Sequence, residues 1–397
     1  MRQREIEAVL QEYSTPAYVF DLDALQQRVG RISACLKREN IDLCYAMKAN
    51  PFLIGAMEPL VERFEVCSPG EFRICERNSL PMERLVISGV SKEQKDILRM
   101  IETYQGKGIF TIESEQQKEL LAECARRTGL QVKALVRITS GNQFGVDREL
   151  VKSMFAEQQK DKELSLIGIQ YYSGTQKKKL SVIEKELQEL DVLCREIKTE
   201  LKTELSELEY GPGFFTPYFQ SEPEEHLEEM LEEFLGFIRN MEFSGKITLE
   251  MGRFLTADCG TFLTSIVDRK ENSGQIYGIL DGGIHHLNYF GQTMAMKLPY
   301  VQHISLEERE ERTEEKWNLC GSLCTAADVI VKQFPLNGAQ IGDVLAFERV
   351  GAYSVTEGIN LFLSRDLPAV LFYSKESGVH LVRAGQATDT INSGQIK

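Results

Sequence analysis

A closed (β/α)8 barrel joined to a β-rich second domain is the fold this sequence predicts, and three observations predict it. Eight short strand-like runs alternate with amphipathic stretches over residues 41 to 251. Past Arg253 the texture changes to strand-like runs punctuated by glycine, without long helical patterns between them. The length, 397 residues, exceeds one ordinary core but suits a barrel plus a smaller domain.

The barrel strands are expected at 41–47, 63–67, 85–88, 108–112, 132–138, 164–172, 205–210 and 247–251, where β-branched and aromatic residues cluster. Between them, 91–102 and 115–127 carry apolar residues at helical spacing, and the charged stretches 177–202 and 222–239 read as solvated helices. In the second domain the clearest strands are 274–281, 343–349 and 369–373. The early run 17–20 precedes the barrel and is a candidate to pair into that domain. The barrel is therefore assigned to 23–255 and the β-rich domain to 1–22 with 256–397.

A formal net charge of −14 repels nucleic acid and anionic lipid, so a small molecule or a protein is the expected partner. No apolar stretch is long enough to span a membrane and no leader pattern opens the chain, which places the protein in the cytoplasm. The nine cysteines lack paired metal spacing and read as reduced thiols. His285 and His286 are adjacent, but only five histidines are present and no third ligand stands at useful spacing, so no metal is expected.

Chemistry gathers at strand ends, because active sites of βα barrels occupy the C-terminal strand face. Lys48 ends an otherwise apolar strand, where partial desolvation would favour the neutral amine that attacks an aldehyde. On position alone a lysine snorkelling from a strand end is the commoner reading, and context must overturn it. That context is Gly211-Pro212-Gly213 after the seventh strand, where glycines let backbone amides approach a phosphate, and Glu250-Met251-Gly252-Arg253 after the eighth. A carboxylate suits a protonated ring nitrogen and a guanidinium suits a phosphate.

The motifs Tyr45-Ala46-Met47-Lys48-Ala49-Asn50, Phe64-Glu65-Val66-Cys67-Ser68-Pro69-Gly70-Glu71, Ser173-Gly174-Thr175-Gln176, Glu250-Met251-Gly252-Arg253, Gly321-Ser322-Leu323-Cys324-Thr325 and Gly351-Ala352-Tyr353 complete the pattern. From about Thr15 onward the chain resembles the fold-type III pyridoxal phosphate enzymes, the alanine-racemase-like barrels that include diaminopimelate and ornithine decarboxylases. The resemblance implies pyridoxal 5'-phosphate as cofactor and a homodimer with shared active sites. It makes Lys48 the Schiff-base lysine, sets Glu250 at the pyridine nitrogen, and surrounds the phosphate with Thr175, Gly211 to Gly213, Arg253 and Tyr353. Arg137 and Glu71 fall near ring and substrate, Tyr172 against the ring face, and Cys324 arrives from the partner subunit. A carboxylate at the ring nitrogen keeps it protonated and favours decarboxylation, and a thiol can return a proton to the α-carbon. Lys48, Cys324 and Glu71 are thus the expected catalytic groups.

The chain departs from its relatives in four places. Tyr172 replaces a stacking histidine, and Pro212 removes one donor from the glycine loop. Thr325 and Asn288-Tyr289 stand where diaminopimelate decarboxylases grip the distal end of their substrate with charged groups. The Cys-Thr pair and the run Asp281 to His286 are more similar to decarboxylases of specialised biosynthesis, such as the butirosin-pathway type that acts on a glutamyl unit tethered to an acyl carrier protein. Three readings follow. The first is a decarboxylase of an amino acid or derivative, free or carrier-tethered, in a siderophore- or antibiotic-like pathway. The alternatives are a meso-diaminopimelate decarboxylase of lysine biosynthesis and a non-catalytic decarboxylase-like binding protein.

Overall fold

The computed structural model describes residues 1–158, 161–305 and 313–394. One compact unit comprises Arg28–Phe215 and His226–Phe254; the other takes in Met1–Gln27, Thr216–Glu225 and the described residues from Leu255 onward. The segment Thr216–Glu225 groups with the β-rich unit although it interrupts the barrel in sequence.

Strand β1 (Ala17–Asp21) belongs to the β-rich unit. The next eight strands close a barrel: β2 (Asp42–Ala46), β3 (Arg63–Val66), β4 (Leu85–Ile87), β5 (Ile109–Ile112), β6 (Val132–Ile138), β7 (Leu164–Tyr172), β8 (Glu207–Gly211) and β9 (Lys246–Met251). Neighbours pair in parallel throughout, and β9 returns to β2 with Glu250 opposite Cys44. A strand covered by helices outside and side chains inside is buried on both faces. Accordingly, all four residues of β5 and all five of β8 are buried. At the N-terminal strand ends an ion pair joins Arg63 of β3 to Glu207 of β8, and Thr248 Oγ1 donates to Glu207 Oε1 at 3.3 Å.

Helices between the strands begin where side chains cap them. Ser68 Oγ accepts from Glu71 N and Ser114 Oγ from Gln117 N, both at 3.1 Å, satisfying amides that the first helical turn leaves open. The helix expected from Ser91 begins instead at Gln94, and the one expected at 222–239 runs Leu227–Arg239. The helix Leu180–Leu201 is less solvated than its charge suggests, since Ile183, Leu187, Leu190, Leu193, Cys194 and Ile197 are buried along one stripe.

The second unit is a mixed sheet of β10 (Gly260–Asn272), β11 (Gln275–Leu280), β12 (Val301–Ile304), β13 (Glu314–Cys320), β14 (Val329–Asn337), β15 (Val344–Glu348), β16 (Ala369–Ser374) and β17 (Gly378–Arg383) with β1. Its order is β14-β13-β11-β10-β1-β16-β17, and β15 bridges β10 and β12. Strand β1 is central, antiparallel to β10 and parallel to β16. Over it, Ile6 and Val9 of the helix Gln3–Glu12 close a core with Val19, Leu263, Ala346 and Leu371.

Candidate active site

Strand β2 lies between β3 and β9, and that order assembles the centre of the site. Lys48 occupies a single turn immediately after β2, with its side chain 38% exposed. Its Nζ donates to Glu65 Oε2 of β3 at 2.6 Å and to Glu250 Oε1 of β9 at 3.3 Å, with Cys67 Sγ 3.8 Å away. One ammonium thus faces two carboxyls, delivered by the strands on either side. Both are buried, and burial disfavours either charge. The Lys48 charge and its hydrogen bond nevertheless hold Glu65 below the carboxylate range, whereas burial and the neighbouring Glu65 charge raise Glu250. Glu65, which the sequence reading did not single out as a site residue, is therefore the principal counter-ion of Lys48.

Glu71 sits in the first turn of the helix Pro69–Arg77, and its Oε2 accepts from Cys67 N at 2.6 Å. Burial raises its carboxyl. Arg137, near the end of β6, donates to Glu113 Oε1 at 3.4 Å and lies 4.7 Å over the Phe144 ring. Between β4 and the following helix stands Lys92, which donates to Gly89 O at 2.6 Å and to Gln117 Oε1 at 3.1 Å. Burial lowers its pKa to about 8, with Glu113 opposing the shift. A second lysine therefore shares the strand-end face with Lys48.

The phosphate-type elements converge in the same unit. Gly213 has φ of +63°, and a Cβ there would fall 1.9 Å from Gly174 O, so only glycine lets the two loops meet. At Gly211 a Cβ would stand 2.6 Å from Tyr172 Cδ2, which places the Tyr172 ring directly against the loop. Thr175 flanks Gly213, and Lys177 N donates to Gly213 O at 2.9 Å. Burial and the Glu250 charge raise the Tyr172 phenol. Arg253, just beyond β9, is buried. Inside the barrel, fully buried Glu209 accepts from Gln170 Nε2 at 2.6 Å, while its other oxygen has no hydrogen-bond partner among the described residues. Burial, then the charges of Glu250 and Glu65, push it up to about 8.

The remaining expected residues, Cys324 and Tyr353, belong to the β-rich unit. Cys324 is exposed on a loop pinned by Asp328, whose oxygens accept from Ile284 N at 2.9 Å and Leu323 N at 2.7 Å. Tyr353 has φ of +68°, a conformation of order 1–3 kcal/mol in cost for a non-glycine residue. His285 and His286 pack as rings 3.6 Å apart in the same unit, both buried. The lysine run at 177–179 is not a uniform basic patch: Lys177 Nζ is bound to Glu186 Oε2 at 2.6 Å and is largely covered, whereas Lys178 and Lys179 are exposed.

The donor set fits a phosphorylated aldehyde with a basic ring: an amine, a carboxyl, a buried guanidinium and a glycine cradle that a Cβ would fill. Comparison with known proteins agrees. The family described as pyridoxal-dependent decarboxylase, pyridoxal binding domain, matches residues 22–257. A diaminopimelate decarboxylase of Campylobacter jejuni is 23% identical over 88% of this chain and 89% of its own. An L-glutamyl-[BtrI acyl-carrier protein] decarboxylase of Niallia circulans is 24% identical over 98% of this chain and 96% of its own. The solved diaminopimelate decarboxylase from M. jannaschii in complex with L-lysine shares the fold with a TM-score of 0.86, at 22% identity over 99% of this chain and 94% of that one. Among the described residues no helix is long and apolar enough to cross a membrane.

Proposed function

We propose, on the premise that this chain belongs to the family of pyridoxal-dependent decarboxylases, that it removes the carboxyl group of an amino-acid unit carried on an acyl carrier protein in a biosynthetic pathway. Pyridoxal phosphate is its cofactor. The observation that carries the finer part is that Asn288, Tyr289 and Thr325, where the resemblance expects charged readers for a distal amino-acid end, are themselves uncharged. Thr325 Oγ1 accepts from Ala327 N at 3.3 Å, Tyr289 donates to Glu348 O at 2.6 Å, and Asn288 donates to Glu357 Oε2 at 3.0 Å. The distal carboxylate of free diaminopimelate would find no cation among those residues and would face Glu357, at a cost of several kcal/mol. A unit whose distal end is an ester or amide carries no such charge. Support also comes from the carrier-protein decarboxylase of Niallia circulans, aligned over nearly the whole of both chains.

The cofactor, when bound, supplies a ring that accepts the electron pair left as carbon dioxide departs. In this reading Lys48 holds it, Glu250 keeps its ring nitrogen protonated, and Tyr172 covers one ring face. Thr175, the Gly211 to Gly213 amides, Arg253 and Tyr353 hold its phosphate. Arg137 and Glu71 border the substrate, and Cys324 of a second copy returns a proton to the α-carbon, so the working unit is a two-fold dimer.

A second reading is decarboxylation of free meso-diaminopimelate, favoured by curated relatives such as those of Campylobacter jejuni and Aquifex aeolicus. Carbon dioxide release from purified protein with cofactor, measured on free diaminopimelate, lysine, ornithine and glutamate and on carrier-bound glutamate, separates the two. Release from the carrier-bound unit is expected, and turnover of free diaminopimelate alone would overturn the first reading.

A further inference from the structure

A part-buried cluster is built around Glu186 of the helix Leu180–Leu201. Its Oε1 accepts from the Ser173 hydroxyl. Its Oε2 accepts from Lys177 Nζ and from the Tyr210 hydroxyl, each at 2.6 Å. Lys177 also lies 5.7 Å from the Tyr210 ring centroid, and the Glu186 side chain is 11% exposed.

These three donors belong to the two segments that meet at the glycine cradle. Ser173 and Lys177 bracket Gly174-Thr175-Gln176, and Tyr210 precedes Gly211-Pro212-Gly213. Within the bracketed segment Gln176, a non-glycine residue, has φ of +61°. A non-glycine residue in that region persists only where its surroundings over-determine it. Pro212, moreover, has no N–H to offer an anion, so the remaining donors must be well placed. Glu186 fastens both segments, and Lys177 balances its charge.

We infer that Glu186 is a positioning residue that sets the two loops for the cofactor's phosphate through Ser173, Lys177 and Tyr210, without touching the cofactor. The inference rests on reading those loops as the phosphate cradle. Its signature is selectivity: losing Glu186 should weaken binding of pyridoxal phosphate but not of pyridoxal, which has the same aldehyde and ring without the phosphate.

The test is equilibrium titration of cofactor-free protein with each compound, followed by absorbance. Glu186→Leu should weaken pyridoxal phosphate binding roughly tenfold, the scale of one lost charge-assisted hydrogen bond, and leave pyridoxal within about twofold. Glu186→Gln, which keeps the acceptor for Ser173, should fall between. Should Glu186→Leu not fold, Tyr210→Phe and Ser173→Ala, each removing one donor, carry the same comparison. Thr175→Ala serves as control on the cradle itself. If Thr175→Ala discriminates between the compounds while the Glu186-network variants lose both equally or neither, the inference is overturned and the cradle stands. If Thr175→Ala does not discriminate either, the cradle reading falls and takes the inference with it.

Discussion

The Lys48 ammonium donates to Glu65 Oε2 at 2.6 Å from the neighbouring strand end, and the Glu65 side chain is only 2% exposed. A buried carboxylate held in its charged form by one lysine makes that lysine a structural counter-ion before any cofactor is bound. In cofactor-free Lys48→Met, Glu65 would lose its nearest cation beside an already raised Glu250, with only the more distant Arg137 left to act on the pair, and Glu65 would take up a proton. Its folded pKa would then exceed the unfolded value near 4.3, so stability present below that value is lost as pH rises. Relative to wild type, the variant should lose about 1.4 kcal/mol per pH unit between pH 5 and the raised pKa. Denaturant unfolding at pH 5, 6.5 and 8 checks this. A pH-independent difference would mean the pair is not coupled through Lys48.

Glu209 makes a second pH prediction with the same sign. Burial, then the charges of Glu250 and Glu65, raise it to about 8, so it folds as the neutral acid and weakens the native state progressively from about pH 4.3 up to that value. Glu209→Gln keeps the acceptor for Gln170 without a titrating proton. The variant should match wild type near pH 4.5 and exceed it by a few kcal/mol at pH 8 in chemical denaturation. Equal stability at both pH values would show that Glu209 titrates normally.

Much of this arrangement was legible in the sequence, and the exceptions have physical causes. The barrel strands stood out because continuous apolar runs such as 132–138 and 164–172 reproduce β6 and β7 residue for residue. Strand β10 was missed because its outer half, through Arg269, Lys270 and Glu271, is exposed and reads as a charged linker. Glu65 was missed for a related reason: in a strand buried on both faces, alternation does not reveal which way a carboxylate points. Its position at the end of the strand next to Lys48 was the available signal. Within the lysine run, the covering of Lys177 was not legible, since the partner that neutralises it is Glu186, on a helix not yet begun at that point in the chain.

For a carrier-bound substrate, the exposed remainder of that run makes a narrower prediction. Carrier proteins are generally acidic, and a chain of net charge −14 needs a local basic patch to meet one. Lys178→Glu with Lys179→Glu should raise KM for the carrier-bound unit, leave kcat nearly unchanged, and lose its effect in high salt. Steady-state kinetics on carrier-bound and free amino acids decide it. Equal losses on both would return these lysines to an ordinary solvated surface.

The proposed sharing of sites in a two-fold dimer predicts complementation. Lys48→Ala and Cys324→Ala should each decarboxylate poorly, and mixing them under subunit exchange should restore about a quarter of wild-type activity, one intact site per heterodimer. No recovery despite demonstrated exchange would put both residues in one subunit's site.

The central claim is that Lys48 holds the cofactor, and the rim supplies a natural competitor. Lys92 lies on the same strand-end face with its pKa lowered to about 8, so a depressed ammonium alone does not identify the cofactor lysine. Geometry does: Lys48 stands between Glu65 and Glu250, whereas Lys92 is occupied by Gly89 O and Gln117. Borohydride reduction of the holoprotein followed by peptide mapping measures the attachment point directly. A pyridoxyl label on Lys48 alone, absent in Lys48→Ala, is the predicted result; a label on Lys92 or any other lysine in the wild-type protein would contradict the account.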